Sequence, residues 1–118
     1  MKACFPRSAR LISPKDYSRV FNRAQKSVDD YFTVLYRVND LNQARLGLAI
    51  AKKNLKRAVD RNQVKRVVRE SFRSHQPELE GLDIVVLSRK GIPAGDKPLL
   101  HASLEKHWAR LAKYMANP

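Results

Sequence analysis

The run from Ala58 to His75, AVDRNQVKRVVRESFRSH, constrains this chain more than any other part of it. Val64, Val67, Val68, Ser71 and Phe72 recur at helical spacing and make one face, which must be buried against another element. Arg61, Lys65, Arg69 and Arg73 follow at intervals of four. With Arg57 they step round the axis by about 40° at a time, forming a slowly winding ridge. Like charges at this spacing cost an isolated helix roughly 0.2–0.5 kcal/mol per pair. A merely solvated helix would interleave acids with bases, yet Asp60 and Glu70, the two acids here, lie off the ridge. The run therefore asks for a sheet to cover its apolar face and a polyanion to relieve its cations. Pro77 bars its continuation, which leaves a helix ~27 Å long.

Charge elsewhere agrees. Over 118 residues, 24 Lys and Arg stand against 11 Asp and Glu, a net charge of +13. The excess is concentrated: residues 1–26 carry +6 and residues 52–73 carry +7. Two basic zones separated by nearly neutral segments suggest one charged surface built from two pieces of chain, facing a polyanion. A basic surface kept for solubility alone is the plainer alternative. A hydrophobic content of 43% excludes a disordered chain, and the length suits one domain, 1–118, with a core that needs no staples. No apolar run reaches the roughly 18 residues of a membrane span. The start, MKACFPRSARL, lacks the apolar centre of a signal peptide. The expectation is a cytoplasmic protein without a membrane partner. Cys4 alone makes neither an internal disulfide nor a thiolate metal site.

Ser13-Pro14-Lys15-Asp16 carries helix-start signals, and Tyr17, Val20, Phe21 and Ala24 form an apolar stripe behind it, with an end near Arg23. Tyr31–Val38 reads as a strand closed by Asn39-Asp40, and Arg45–Ala51 as another. The latter sets Leu46, Leu48 and Ile50 on one face against Gly47, Ala49 and Ala51 on the other. A short strand near Lys26–Val28 precedes them. Leu82–Ser88 is nearly all apolar, as a central strand is. The last helix is expected over Leu99–Met115, with Leu100, Leu104, Trp108, Leu111 and Met115 inward. The order α-β-β-α-β-α, with the extra short strand, makes a small α+β sandwich on a mixed sheet.

Catalytic chemistry of the protein's own is not expected. His75, His101 and His107 have no close carboxylate in sequence beyond Glu105, one helical turn from His101 and spaced to pair with it. Asp29-Asp30 suits a solvated hairpin better than a magnesium site, because adjacent strand residues point to opposite faces. No phosphate loop, nucleophile elbow or zinc spacing is present, so no catalytic or metal-ligating residue is assigned. Binding chemistry is plentiful. Asn62 and Arg66 flank the ridge, and Lys52, Lys53 and Lys56 lead to the helix N-terminus, whose N–H groups attract phosphate. Arg forks onto phosphates and stacks on bases. Tyr17, Phe21 and Tyr36 are either core or the floor of a groove where unpaired bases stack.

KKNLKRAVDRNQVKRVVRESFR resembles the signature of the bacterial ribonuclease P protein family, a K-K…R-N-x-x-K-R-x-x-R-E pattern. The likeness runs from FPRSARLISPKDYSRVF through RLGLAIAKK to LEKHWARL, roughly residues 5–113. It implies an α-β sandwich similar to the second domain of ribosomal protein S5, with a left-handed βαβ crossover where general rules give a right-handed one. It also implies a catalytic RNA partner that, with magnesium ions held by the RNA–protein complex, removes the 5′ leader of precursor tRNA. No obligate protein partner is implied. By position, Arg57, Arg61, Asn62, Lys65, Arg66, Arg69 and Arg73 fall on the RNA-facing motif. Tyr17, Phe21 and Tyr36, with Lys52 and Lys53 at the rim, fall on the leader cleft. Gln63 departs from the R-N-R of many members, leaving at most a neutral hydrogen bond at that place. The competing readings are a general RNA-binding or ribosomal protein, and a DNA-binding module using Arg57–Arg73 in the major groove. The last is disfavoured because Val64, Val67, Val68 and Phe72 tie the helix to a sheet. Arg61 and Arg66 are both expected to serve binding and to be dispensable for stability.

Overall fold

The structure, a computed structural model, describes residues 24–39 and 43–116. The helix expected over Ser13–Arg23, with Tyr17 and Phe21, lies outside the described residues, as does Cys4. The described chain runs β1 (Gln25–Val28), β2 (Phe32–Val38), β3 (Arg45–Ala49), α1 (Ala58–His75), a 3-10 turn (Gln76–Leu79), β4 (Leu82–Ser88) and α2 (Lys97–Ala116). The strands lie in the order β1-β2-β4-β3. β1–β2 and β2–β4 are antiparallel, and β3–β4 are parallel and joined through α1. This is the mixed-sheet α+β architecture that the element order predicts.

Several boundaries differ from expectation for local reasons. Pro77 ends the α-helix at His75, but the chain winds on through a 3-10 turn that carries Pro77 in its first positions. α2 begins two residues before the expected Leu99, because Asp96 Oδ1 accepts from Leu99 N at 3.2 Å and caps it.

Both helices cover one face of the sheet. Phe32, Val34, Leu46, Leu82, Ile84 and Val86 meet Val64, Val67, Val68 and Phe72 of α1 and Leu100, Leu104, Trp108 and Leu111 of α2 in a single core. Trp108, fully buried, sits edge-on to Phe72 with centroids 6.1 Å apart and donates Nε1–H to Ser71 Oγ at 2.8 Å. The opposite face holds a smaller cluster, Leu35 and Val85 with Ala24, Ala49 and Leu87. The alternation of large and small residues in β3 is thus realised: Leu46 faces the helices and Ala49 faces away.

Polar locks fix the ends of the sheet. Asp83 on β4, 3% exposed, takes Arg45 Nε and Nη2 at 2.7 Å each and Asn39 Nδ2 at 2.9 Å. A buried carboxylate is tolerable only with its acceptor sites filled. Asp29 shapes the β1–β2 turn, accepting at Oδ1 from the Tyr31 and Phe32 N–H groups at 2.8 Å each. Its Oδ2 accepts from Ser103 Oγ on α2. Asp29 is therefore a structural turn residue.

The same turn holds a buried histidine. His107, 0% exposed, has Nδ1 2.6 Å from Ser27 Oγ and Nε2 3.3 Å from Asp29 Oδ2, the latter without an aligned hydrogen bond. Ser27 Oγ also accepts from Arg110 Nη1 at 3.1 Å, which places a guanidinium charge beside the imidazole. Burial pulls the His107 pKa below its ordinary value, and the Asp29 charge only partly opposes this. The unfolded chain thus binds the proton more readily than the folded one, and stability present above about pH 6.5 is lost as pH falls. Asp29, held below the ordinary carboxylate range despite a burial penalty in the other direction, loses its contribution only in stronger acid. Melting temperature should hold steady from pH 8 to 7 and fall from pH 6.5 to 5. His107→Gln should lower it at pH 7, by about 1–3 kcal/mol of stability, and flatten the acid limb. An unchanged acid limb in thermal melts of the variant would refute this account.

Candidate nucleic-acid interface

The ridge stands because the opposite face of α1 is spent in the core. Val64, Val67, Val68, Ser71 and Phe72 are buried, which leaves Asn62 and Arg66 exposed and Arg61, Lys65, Arg69 and Arg73 half-buried along the flank and outer side. Half-burial suits a cation whose stem lies on protein while its head meets solvent. Arg57, at the N-cap, is 76% exposed and only 4.0 Å from Asp60 Oδ2, a weak surface pair. The helix start has no side-chain cap, so its first N–H groups remain free to meet an anion.

Four of the seven ridge and flank residues surround one groove. Asn62, Arg66, Arg69 and Arg73, with Glu70, line a hollow of 610 Å³. A second hollow of 290 Å³ adjoins it, sharing Asn62 and Arg66 and adding Val59, Gln63 and Lys97. Among the described residues, Arg66, Arg69 and Arg73 form no hydrogen bond or ion pair, and Arg73 Nε is buried without a partner. These cations are positioned but not neutralised.

Arg61 behaves differently. Its Nη1 donates to the backbone oxygens of Leu55 and Lys56, both at 2.8 Å. It ties the loop after β3 to the helix that follows. Asn54 braces the same loop, donating Nδ2–H to Ser88 O at 2.9 Å. The loop presents Lys52, Lys53 and Lys56 exposed, beside the uncapped start of α1.

Tyr36 lies in the core, 8% exposed, edge-on to Tyr114 of α2 at 5.2 Å. Burial raises its phenol pKa, and Tyr114 adds to the shift. It belongs to the helix-covered side of the sheet, so little of its ring is presented to solvent. The sequence pattern left this choice open.

Sequence spacing missed Glu70 and Lys97 as groove residues, since neither belongs to the ridge. It also paired His101 with Glu105. In the structure each reaches α1 instead: His101 Nε2 stands 3.9 Å from Glu70 Oε2, and Glu105 Oε1 stands 3.8 Å from His75 Nε2. Packing of α1 beside α2 decides this, and no pattern within one helix reports it. The contact order Ser27–His107–Asp29 mimics a hydrolytic triad. Ser27 and His107 are 4% and 0% exposed, however, so no substrate reaches them. Among the described residues no three His, Cys, Asp or Glu side chains converge as a metal site, and no helix is long and apolar enough to cross a membrane.

The fold and the helix define a small basic α+β domain with an arginine-lined hollow on a core-anchored helix. Known proteins narrow this class. The ribonuclease P family profile matches residues 5–112. The ribonuclease P protein component of Thioalkalivibrio sulfidiphilus is 51% identical over 114 residues, covering 97% of this chain and 95% of that one. The Staphylococcus aureus RNase P protein is 31% identical with a TM-score of 0.76, covering 89% of this chain and 95% of its own. The Thermotoga maritima RNase P protein is 32% identical with a TM-score of 0.75, covering 86% and 96%. The chain belongs to the ribonuclease P protein family.

Arg61→Ala should cost about 1–2 kcal/mol through the loop carbonyls it leaves unpaired. Arg66→Ala should stay within about 0.5 kcal/mol of the parent. Equal urea midpoints for the two variants would contradict the geometry.

Proposed function

We propose that this chain is the protein subunit of a ribonuclease P ribonucleoprotein, acting in the cytoplasm on precursor tRNA. Its α1 face binds the catalytic RNA, and its Lys52–Lys53 loop helps hold the 5′ leader, so that the RNA removes the leader to make the mature tRNA 5′ end. The observation that carries this reading is the set of unneutralised cations, Arg66, Arg69 and Arg73, held round one groove in a chain of this family.

The protein contributes affinity and position. Each cation that meets a phosphate releases counterions, which favours association without sequence preference. A helix locked to the sheet presents these cations on a backbone already ordered, so no backbone entropy is lost there on binding. Arg61 holds the lysine loop against the helix start, which brings the RNA-facing and leader-facing cations to adjoining surfaces. The family resemblance assigns Tyr17 and Phe21, with Lys52 and Lys53, to the leader. Tyr36, packed under Tyr114, acts there as a wall more than as a stacking platform. Magnesium ions, held by the RNA–protein complex, supply stabilisation of the reacting phosphate and activation of water. The protein's part toward them is to lower repulsion between the two RNAs.

Cleavage of a 5′-extended precursor tRNA by a bacterial ribonuclease P RNA at low magnesium should rise on addition of this protein, with the cut at the mature 5′ end. Binding of both RNAs without any rate change would favour a general RNA-binding protein instead. Affinity for the catalytic RNA should also fall steeply with salt. Arg66→Ala should reduce the log–log slope by roughly 0.7–0.9, one phosphate contact, whereas an unaltered slope would remove Arg66 from the interface.

A further inference from the structure

The α1 groove contains one residue that a phosphate track does not explain. Glu70 lines it together with Arg66, Arg69 and Arg73, and a carboxylate there repels the phosphates that the arginines attract. Its helical neighbours Arg66 and Arg73 are spaced to pair with it, yet among the described residues its ion-pair partner is His101, at 3.9 Å, beyond hydrogen-bond length. Its side chain is 52% exposed. The carboxylate is thus exposed, with no hydrogen bond to it from the described residues.

We infer that this groove receives the base of one unpaired guanine in the bound RNA, with Glu70 accepting from the guanine N1–H and N2–H groups. Guanine alone among the four bases offers two adjacent donors on its Watson–Crick edge, matched to the two oxygens of a carboxylate. Adenine and cytosine each offer one amino group there, and uracil one N–H. Protein readout of RNA favours unstacked bases gripped by their edges. The surrounding residues fit the rest of the nucleotide: Asn62 or an arginine can donate to guanine O6 and N7, and the remaining arginines neutralise the flanking phosphates. The adjoining hollow, which shares Asn62 and Arg66 and ends at Lys97, continues the path toward the start of α2. Lys97 takes the next phosphate.

The inference rests on the RNA-binding reading above, and its test separates the two. The full chain is titrated with five-nucleotide RNAs, UUGUU, UUAUU, UUCUU and UUUUU, and with the inosine form that lacks the guanine amino group. The intact ribonuclease P RNA is titrated in parallel. UUGUU should bind about tenfold more tightly than the other three, with inosine between them. Glu70→Gln should bring UUGUU down to the level of the others, while those bind as well as before or better, since a negative charge has gone. Lys97→Ala should weaken all of the oligonucleotides alike. Equal binding of the oligonucleotides by the unaltered chain, or no measurable binding of any, overturns the guanine subsite, as does a Glu70→Gln loss shared equally by all. If ribonuclease P RNA is bound in that event, the RNA-binding reading stands alone; if it is not bound, that reading falls as well.

Discussion

Everything that this surface can do depends on the burial of one side of α1. Four like charges in sequence would weaken a free helix, by a few tenths of a kcal/mol for each pair. Val64, Val67, Val68 and Phe72 are at most 1% exposed, and burial of each side chain contributes roughly 1.5–3 kcal/mol. The apolar side therefore outweighs the repulsion several-fold, and the helix forms whether or not an anion is bound. Trp108 sharpens this by docking on Phe72 and donating to Ser71. That contact sets the rotation of α1 about its own axis as well as its distance from α2. A helix free to roll would smear its cations over an arc; this one presents Asn62, Arg66, Arg69 and Arg73 to a single groove.

A second constraint acts on the chain before α1. Asp83 is the register partner of Arg37 on one side and of Arg45 on the other, and its carboxylate grips Arg45 and Asn39. A slip of one residue in β3 would turn Leu46 outward and bury Arg45 in the core. With the register pinned at this end, β3 delivers its last residues to one place. The loop that follows then meets Ser88 at the end of β4 through Asn54. The lysine loop and the start of α1 thus hold their mutual position because a buried ion pair fixes the far end of the sheet.

The legibility of the fold in the sequence divides along the same lines. α1 and β4 could be bounded at the residue, since an amphipathic run stopped by proline and an apolar run between glycine and a basic loop are local signals. That Asn62, Arg66, Arg69 and Arg73 share one side of α1 was also legible, because helical spacing tells which side chains lie together. Arg61 was not: its two acceptors are carbonyls of the preceding loop, and a wheel shows direction without showing what is met there. His101 and Glu105 illustrate the limit from the other side. Their spacing fits an intrahelical pair, but Glu70 and His75 on the neighbouring helix compete for them, and tertiary packing wins. Tyr36 was ambiguous for a related reason, as an aromatic residue on a strand looks the same whether α2 covers it or not.

Net charge is thus a poor measure of what the surface recognises. Of the cations in the helix and its approach, Arg61 is committed to the fold and Arg57 is tethered loosely to Asp60, whereas Arg66, Arg69 and Arg73 have no partner among the described residues. Exposed lysines at a loop act mainly as mobile point charges, which raise the association rate and respond strongly to salt. Arginines on a core-anchored helix are different: Arg69 and Arg73 have half-buried stems, and the spacing of all three along the axis imposes a geometry on the partner. On the reading proposed above, the loop catches an RNA strand and the helix decides which strand stays. A polyanion lacking the matching phosphate spacing can satisfy the first surface without the second. On that reading the arrangement separates attraction, which any polyanion experiences, from retention, which needs phosphates spaced to meet the helix.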